Sequence, residues 1–336
     1  MTTTDTIAIA GLPPIPGLRV RPYLGPSDHP AMAAASNAWR ASIGVTELVT
    51  VDALDNLYAH LTNSDPYRDC LALELDGEIV GYTRNEWETD DRTGDRAYDT
   101  TVILAPKVAS EAGYCALLAE GARRFRYDHA DRVGRPGDRF RAWIHDSDPR
   151  LVAAHVAAGF MPAHRWFELV RPTLDDLSEA PLPEGIEVRP VEPEHWRAVW
   201  EADIDAFSED WDPADSTENA FQRFLGEPHQ VPALWQVAWD GDQIAGHVLV
   251  TVNPEENERF GVQRGILDSV AVRKPWRRRG LARALIARTL VALREHGETS
   301  AGLGVDVDNP NQALTLYESC GFAVQISGTV FERPFA

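Results

Sequence analysis

The sequence predicts an α/β (α+β) fold built twice in tandem, each copy a mixed central sheet flanked by helices. Three observations predict it. The chain has 336 residues, more than one small domain needs and enough for two of roughly 150 residues each. Its 44% apolar and 25% charged residues are those of an ordinary globular protein. Three landmarks also recur at a nearly constant offset, which points to an internal duplication. Gly17–Pro22 (GLRVRP) returns as Gly185–Pro190 (GIEVRP), Cys70–Tyr82 (CLALELDGEIVGY) as Trp235–His247 (WQVAWDGDQIAGH), and Ala158-Gly159-Phe160 as Cys320-Gly321-Phe322.

Each copy opens with an extended segment ended by proline, and a helical stretch follows. Two strands joined by a tight turn come next, with Asp76-Gly77 and Asp240-Gly241 as the turn dipeptides. In the second copy, Leu267–Val272 (LDSVAV) reads as a buried strand. Leu281, Leu285, Ile286, Leu290 and Leu293 then recur at helical spacing until His296-Gly297 ends the helix. An alternating strand, Leu303–Val307, leads to a last helix with Asn309 as N-cap and Pro310 in its first turn. Ala313, Leu316, Tyr317 and Cys320 line one face of it, and Gly321 stops it. The domain plan that follows is a loose tail over 1–16, a first copy over 17–172, a linker rich in proline and acid over 173–185, and a second copy over 186–336.

A formal net charge of −20 argues against a nucleic-acid partner and against an anionic membrane surface. It suits a cationic substrate, though a charged solvated surface is the simpler explanation. Cys70, Cys115 and Cys320 are odd in number and far apart, so neither a disulfide framework nor a metal site is expected. With no leader-like start and no apolar run of bilayer length, the expected location is cytoplasmic. There is no phosphate loop of the G-x-x-x-x-G-K-[ST] kind, no H-E-x-x-H and no G-x-S-x-G elbow.

The chemistry is concentrated between Leu267 and Phe322. The turn Arg273-Lys274-Pro275-Trp276-Arg277-Arg278-Arg279-Gly280 runs straight into a helix, and cations at a helix N-terminus oppose its dipole. The arrangement makes sense if an anion sits in the turn, held by free amides at the helix start, with Gly280 allowing close approach. A solvated basic turn is the alternative.

Arg277-x-x-Gly280-x-Ala282 resembles the acyl-CoA signature Q/R-x-x-G-x-G/A of the GNAT superfamily. Asn309 with Ala313-Leu314-x-Leu316-Tyr317-Glu318 and Gly321-Phe322 resembles that superfamily's later motif. The motifs cover roughly the last 150 residues, and the first copy joins only through the repeat. The whole resembles tandem GNAT proteins, of which mycothiol synthase is one branch.

The resemblance implies an acyl-CoA-dependent N-acyltransferase with acetyl-CoA as co-substrate, no metal, and a small-molecule amine as acceptor. It implies that amides of Arg277, Arg278, Arg279, Gly280, Leu281 and Ala282 hold the pyrophosphate. The pantetheine arm would lie along Val270, Ala271 and Val272, with an amide near Val272 polarising the thioester. Tyr317 would protonate the departing thiolate, or be a core tyrosine; Asn309 would touch the cofactor, or only cap its helix. The base is open: Asp268 precedes the thioester strand, and Glu201, Asp203, Asp205, Glu209 and Asp210 crowd the early helix.

The first copy departs from the signature. No arginine or glutamine precedes Gly113 at the required spacing, Glu111 sits where a phosphate would be repelled, and His155 stands where the second copy has Tyr317. This copy is expected to act as a scaffold. Competing readings are a CoA-binding sensor without turnover, a mycothiol synthase-like enzyme, and an aminoacyl-tRNA-dependent transferase, the last disfavoured by the charge. Acceptor identity, acyl length and oligomeric state are not encoded in any motif.

Overall fold

The computed structural model describes residues 6–90, 92–212, 214–307 and 313–335. In chain order the first elements are β1 (Leu18–Pro22), α1 (His29–Ser42), α2 (Val51–Ala59), α3 (Pro66–Asp69), β2 (Cys70–Leu75), β3 (Glu78–Thr89), β4 (Arg96–Leu104), α4 (Glu111–Asp128), β5 (Arg139–His145), α5 (Pro149–Ala157) and β6 (Met161–Arg171). Then come β7 (Glu187–Arg189), α6 (Trp196–Phe207), α7 (Glu218–Leu225), β8 (Gln236–Asp240), β9 (Gln243–Thr251), α8 (Pro254–Phe260), β10 (Arg264–Val272), α9 (Leu281–His296), β11 (Ser300–Asp306), α10 (Ala313–Ser319) and β12 (Ala323–Pro334).

The chain forms two compact units. One holds the residues up to His164 together with those from Gly328 onward; the other holds Arg165–Ser327. In the first, β1, β2, β3 and β4 pair antiparallel in sequence, β4 meets β5 in parallel, and Gly328–Pro334 closes the sheet antiparallel to β5. The second repeats that order: β7, β8, β9 and β10 antiparallel, β10 with β11 parallel, and Trp166–Arg171 antiparallel to β11. Each sheet is therefore completed by a strand from the other copy's sequence. The repeat boundaries at 172 and 186 differ from the limits of the compact units for this reason: the closing strands are chosen by pairing, which is non-local.

Local chemistry explains the elements. The β2–β3 turn places Asp76 at φ 52° and Gly77 at φ 90°, the left-handed pair a two-residue hairpin requires. On α9, Leu281, Leu285, Ile286, Leu290 and Leu293 are all buried, the face their spacing predicts. Gly297 ends that helix in the left-handed conformation, its amide returning to the carbonyls of Leu293 and Arg294. Residues 7–15, part of the segment read from the sequence as a loose tail, lie against the first core. The Ile7 amide donates to the Val20 carbonyl, Ile9 is buried, and Leu12 and Ile15 pack beside it. These apolar side chains give the tail a reason to dock.

Candidate active site

The cleft of the second unit arises where two parallel strands part. β10 and β11 pair only over Arg264–Ile266 with Ser300–Gly302, and a bulge between Leu267 and Ser269 bends β10 just beyond. The opening holds a cleft of about 220 Å³, walled by Asp268–Val272, by Gly304–Asp306, by Ala206, Phe207 and Asp210 near the end of α6, and by Tyr317 of α10.

The free edge of β10 faces this cleft. The Arg273 amide donates to the Ala245 carbonyl of the β9 side, so by strand alternation the backbone groups of Val270 and Val272 point the other way, toward the opening. The Val272 carbonyl confirms the direction, because it accepts from Arg277 Nε at 3.0 Å. The Val270 and Val272 amides are left on an edge able to take an extended ligand as an added strand.

The turn after β10 ends at a helix start with no side-chain cap. Arg278 at φ 64° and Gly280 at φ 84° are left-handed, and Gly280 caps α9 with no side-chain hydrogen bond. The first-turn amides are therefore uncapped, with the helix dipole behind them. Arg278 and Arg279 are exposed beside them. Such a donor set fits a pyrophosphate. A Cβ on Gly280 would meet nothing within 4 Å, so glycine is required here by its backbone angle.

The Arg277 side chain does something else. Beyond its bond to Val272, its Nη2 donates to the Ala206 carbonyl at 2.8 Å and its Nη1 pairs with Glu209 at 3.2 Å. It ties the end of β10 to the end of α6. The early-helix acids are similarly engaged: Asp205 accepts from Arg273 at 2.6 Å, and Glu209 from Lys274 at 2.6 Å. Lys274, then Arg277, holds the Glu209 carboxyl below the usual range. Glu201 is exposed. Of the five acids, Asp210 reaches the cleft lining and Asp203 turns inward to the sheet. Asp268 stands exposed at the bulge, on the cleft wall.

Tyr317 lines the cleft from a buried position, its ring edge-on to Phe322 at 6.3 Å. Burial, and then Cys320, pushes its phenol well above the usual range, so it keeps its proton across ordinary pH. Leu281 is buried and Ala282 lines the cleft. Asn309 lies outside the described residues.

One constellation escaped the sequence reading. His247, at the centre of β9 and wholly buried, donates from Nε2 to Asp203 Oδ1 at 2.9 Å, and Ser269 Oγ donates to the same oxygen at 2.5 Å. Only Asp203 had been among the candidates. The signal available was a histidine inside the apolar run Ile244–Val250.

The corresponding turn of the first unit is closed. Ser110 caps α4, its hydroxyl accepting from the Gly113 amide at 3.1 Å, and Glu111 occupies the first turn. Trp39 of α1 donates to Asp148 at 2.8 Å inside the core. His155 is buried, donates from Nδ1 to the Leu151 carbonyl at 2.9 Å and is pushed down to about 4 by that burial. Its role is packing against Phe160.

Among the described residues no group of three or more His, Cys, Asp or Glu side chains is arranged to hold a metal, and no helix is long and apolar enough to cross a membrane.

Comparisons with known proteins bear on the family and the fold. Residues 196–322 match the family model described as the acetyltransferase (GNAT) family. The mycothiol acetyltransferase of Streptomyces avermitilis is 30% identical over 262 residues, covering 75% of this chain and 76% of the relative. Among solved structures, a GCN5-related N-acetyltransferase from Sphaerobacter thermophilus aligns with a TM-score of 0.69 at 22% identity, over 96% of this chain and 97% of that one. A tandem GNAT protein from the clavulanic acid biosynthesis pathway aligns at 0.67 and 15% identity, over 95% and 99%.

Proposed function

This chain belongs to the GNAT acetyltransferase family, and from that premise we propose that its second copy, residues 186–336, transfers the acetyl group of acetyl-CoA directly to a primary amine of a small molecule. The family uses acetyl-CoA as co-substrate, and the residues here fit it. The observation that carries the reading is the uncapped start of α9, with left-handed Arg278 and Gly280, opening onto the split between β10 and β11.

In this reading the α9 amides bind the pyrophosphate, and the Val270 and Val272 edge aligns the pantetheine arm. The Val272 amide polarises the thioester carbonyl as negative charge grows on its oxygen. The acceptor amine attacks from the α6 side, and Tyr317 hands its proton to the leaving sulfur. Residues 17–172 form a degenerate copy whose capped helix start, with Glu111 beside it, holds no second acetyl-CoA; 173–185 is the linker. The mycothiol acetyltransferase relatives favour mycothiol lacking its acetyl group as the first acceptor to try.

Calorimetric titration with acetyl-CoA, followed by thiol release in the presence of that amine and a panel of others, tests the proposal. One equivalent bound, and thiol released only with an amine present, is the expected result. Two equivalents would restore function to the first copy. Binding without turnover would favour a sensor.

A further inference from the structure

The cluster around Asp203 is buried polar chemistry set behind the cleft wall at Ser269. Asp203 lies on the inward face of α6, among the buried Val199, Ala202 and Ala206. His247 and Ser269 come from neighbouring strands, and the pairing of Ala271 with His247 and of Ser269 with Leu249 puts both side chains on the sheet face under that helix. Ser269 is also part of the cleft wall.

The order of the three groups defines what they can do. In a serine-nucleophile triad the imidazole stands between hydroxyl and carboxylate. Here the carboxylate stands between: Asp203 Oδ1 accepts from both partners, while Ser269 Oγ and His247 Nε2 are 3.5 Å apart. The Ser269 proton is thus directed at a carboxylate, which leaves the serine lone pairs free to accept from a ligand in the cleft. His247 Nδ1 is buried with no protein partner among the described residues, so the ring serves as the Nε2–H tautomer, a fixed donor that orients the carboxylate. The Asp203 side chain keeps 22% exposure while His247 has none, so the carboxylate has a route to solvent.

We propose that Ser269, Asp203 and His247 form the path by which the acceptor amine loses its proton, and that this path fixes where a primary amine sits before attack. The inference rests on the acetyl-transfer reading above. As the amine nitrogen bonds to the thioester carbonyl carbon, the carbon–sulfur bond breaks and the nitrogen becomes acidic. Its proton passes to Ser269 Oγ while the serine's own proton passes to Asp203 Oδ1. The sulfur departs with its electron pair and takes the Tyr317 proton. Asp203 then releases its proton to solvent and Tyr317 regains one. Ser269 is the catalytic residue in contact with substrate, Asp203 the terminal acceptor, and His247 a positioning residue.

The test uses the full chain, acetyl-CoA, and deacetylated mycothiol or the first panel amine the wild type acetylates. Asp203→Asn should lower kcat by about 100-fold, in the range of a lost acid–base group, with acetyl-CoA affinity unchanged by calorimetry. Ser269→Ala should lower kcat in the same direction and Ser269→Thr should restore it, since only the hydroxyl is needed. In Asp203→Ala, added formate should recover turnover, which a purely structural carboxylate would not allow. An unchanged kcat in Asp203→Asn overturns the relay, as does a loss with no rescue by threonine or formate. A wild type that binds acetyl-CoA yet acetylates no amine overturns the functional reading, and the relay with it.

Discussion

Replacing Arg277 by alanine separates two roles that the signature arginine could play. As a phosphate ligand its loss would weaken acetyl-CoA binding and flatten the salt dependence of that binding. The geometry gives it instead to the protein: Nε to the Val272 carbonyl at 3.0 Å and Nη2 to the Ala206 carbonyl at 2.8 Å. A hydrogen bond from a charged donor contributes roughly 1.5 kcal/mol at the low end, so the two together come to about 3 kcal/mol. The ion pair with Glu209 is left out, because that carboxylate is solvated and screened. In a unit of this size about 3 kcal/mol should lower the melting transition by about 6–12 °C. Differential scanning calorimetry reads that shift, and isothermal titration at several salt concentrations reads the other role. The expected outcome is a lower transition, with weaker acetyl-CoA binding whose salt sensitivity matches the wild type. Arg277→Lys should recover little, since one ammonium cannot bridge both carbonyls. An unchanged transition with a flattened salt dependence would refute the reasoning and return Arg277 to the phosphate.

Gly280→Ala must hold an L-residue at φ 84°, a strain of about 1–2 kcal/mol; if the turn relaxes to relieve it, acetyl-CoA affinity should fall by about 5- to 30-fold, read by calorimetry. Tyr317→Phe should lower kcat with little change in acetyl-CoA affinity. Because burial raises the Tyr317 pKa, the wild-type kcat should show no loss of this acid on the alkaline side up to pH about 10, the ordinary phenol value. Burial pushes His145 and His155 down to about 4, so the unfolded chain binds protons first as pH drops. Their contribution to stability is complete above about pH 6.5, the ordinary histidine value, and is lost as pH falls toward 4. Urea midpoints across that range should decline, and His155→Gln should make the decline shallower.

The legible parts of this protein are the local ones. The strand, basic turn and helix from Leu267 to His296 were readable because β-branched residues, a glycine and a leucine periodicity lie side by side in sequence. The hairpin at Asp76-Gly77 was readable because only a few dipeptides accept two left-handed residues. The destination of the Arg277 side chain was not readable, since its acceptors are backbone carbonyls of Val272 and Ala206, which carry no residue signature. The Asp203–Ser269–His247 cluster joins side chains 66 and 44 positions from the aspartate, and only the folded sheet brings α6 over both strands. The exchange of closing strands was hidden for the same reason: Trp166–Arg171 and Gly328–Pro334 read as the natural ends of their own copies.

That exchange bears on how such a gene can evolve. One copy of a duplicated domain is ordinarily free to be discarded. Here deletion of the first copy would take Trp166–Arg171 with it and leave β11 with an unpaired edge, while deletion of the second would do the same to β5. Whatever either copy binds, a change in its closing strand is felt first in its sister's sheet. The two halves are heirs to each other's edges, and the lineage must inherit both.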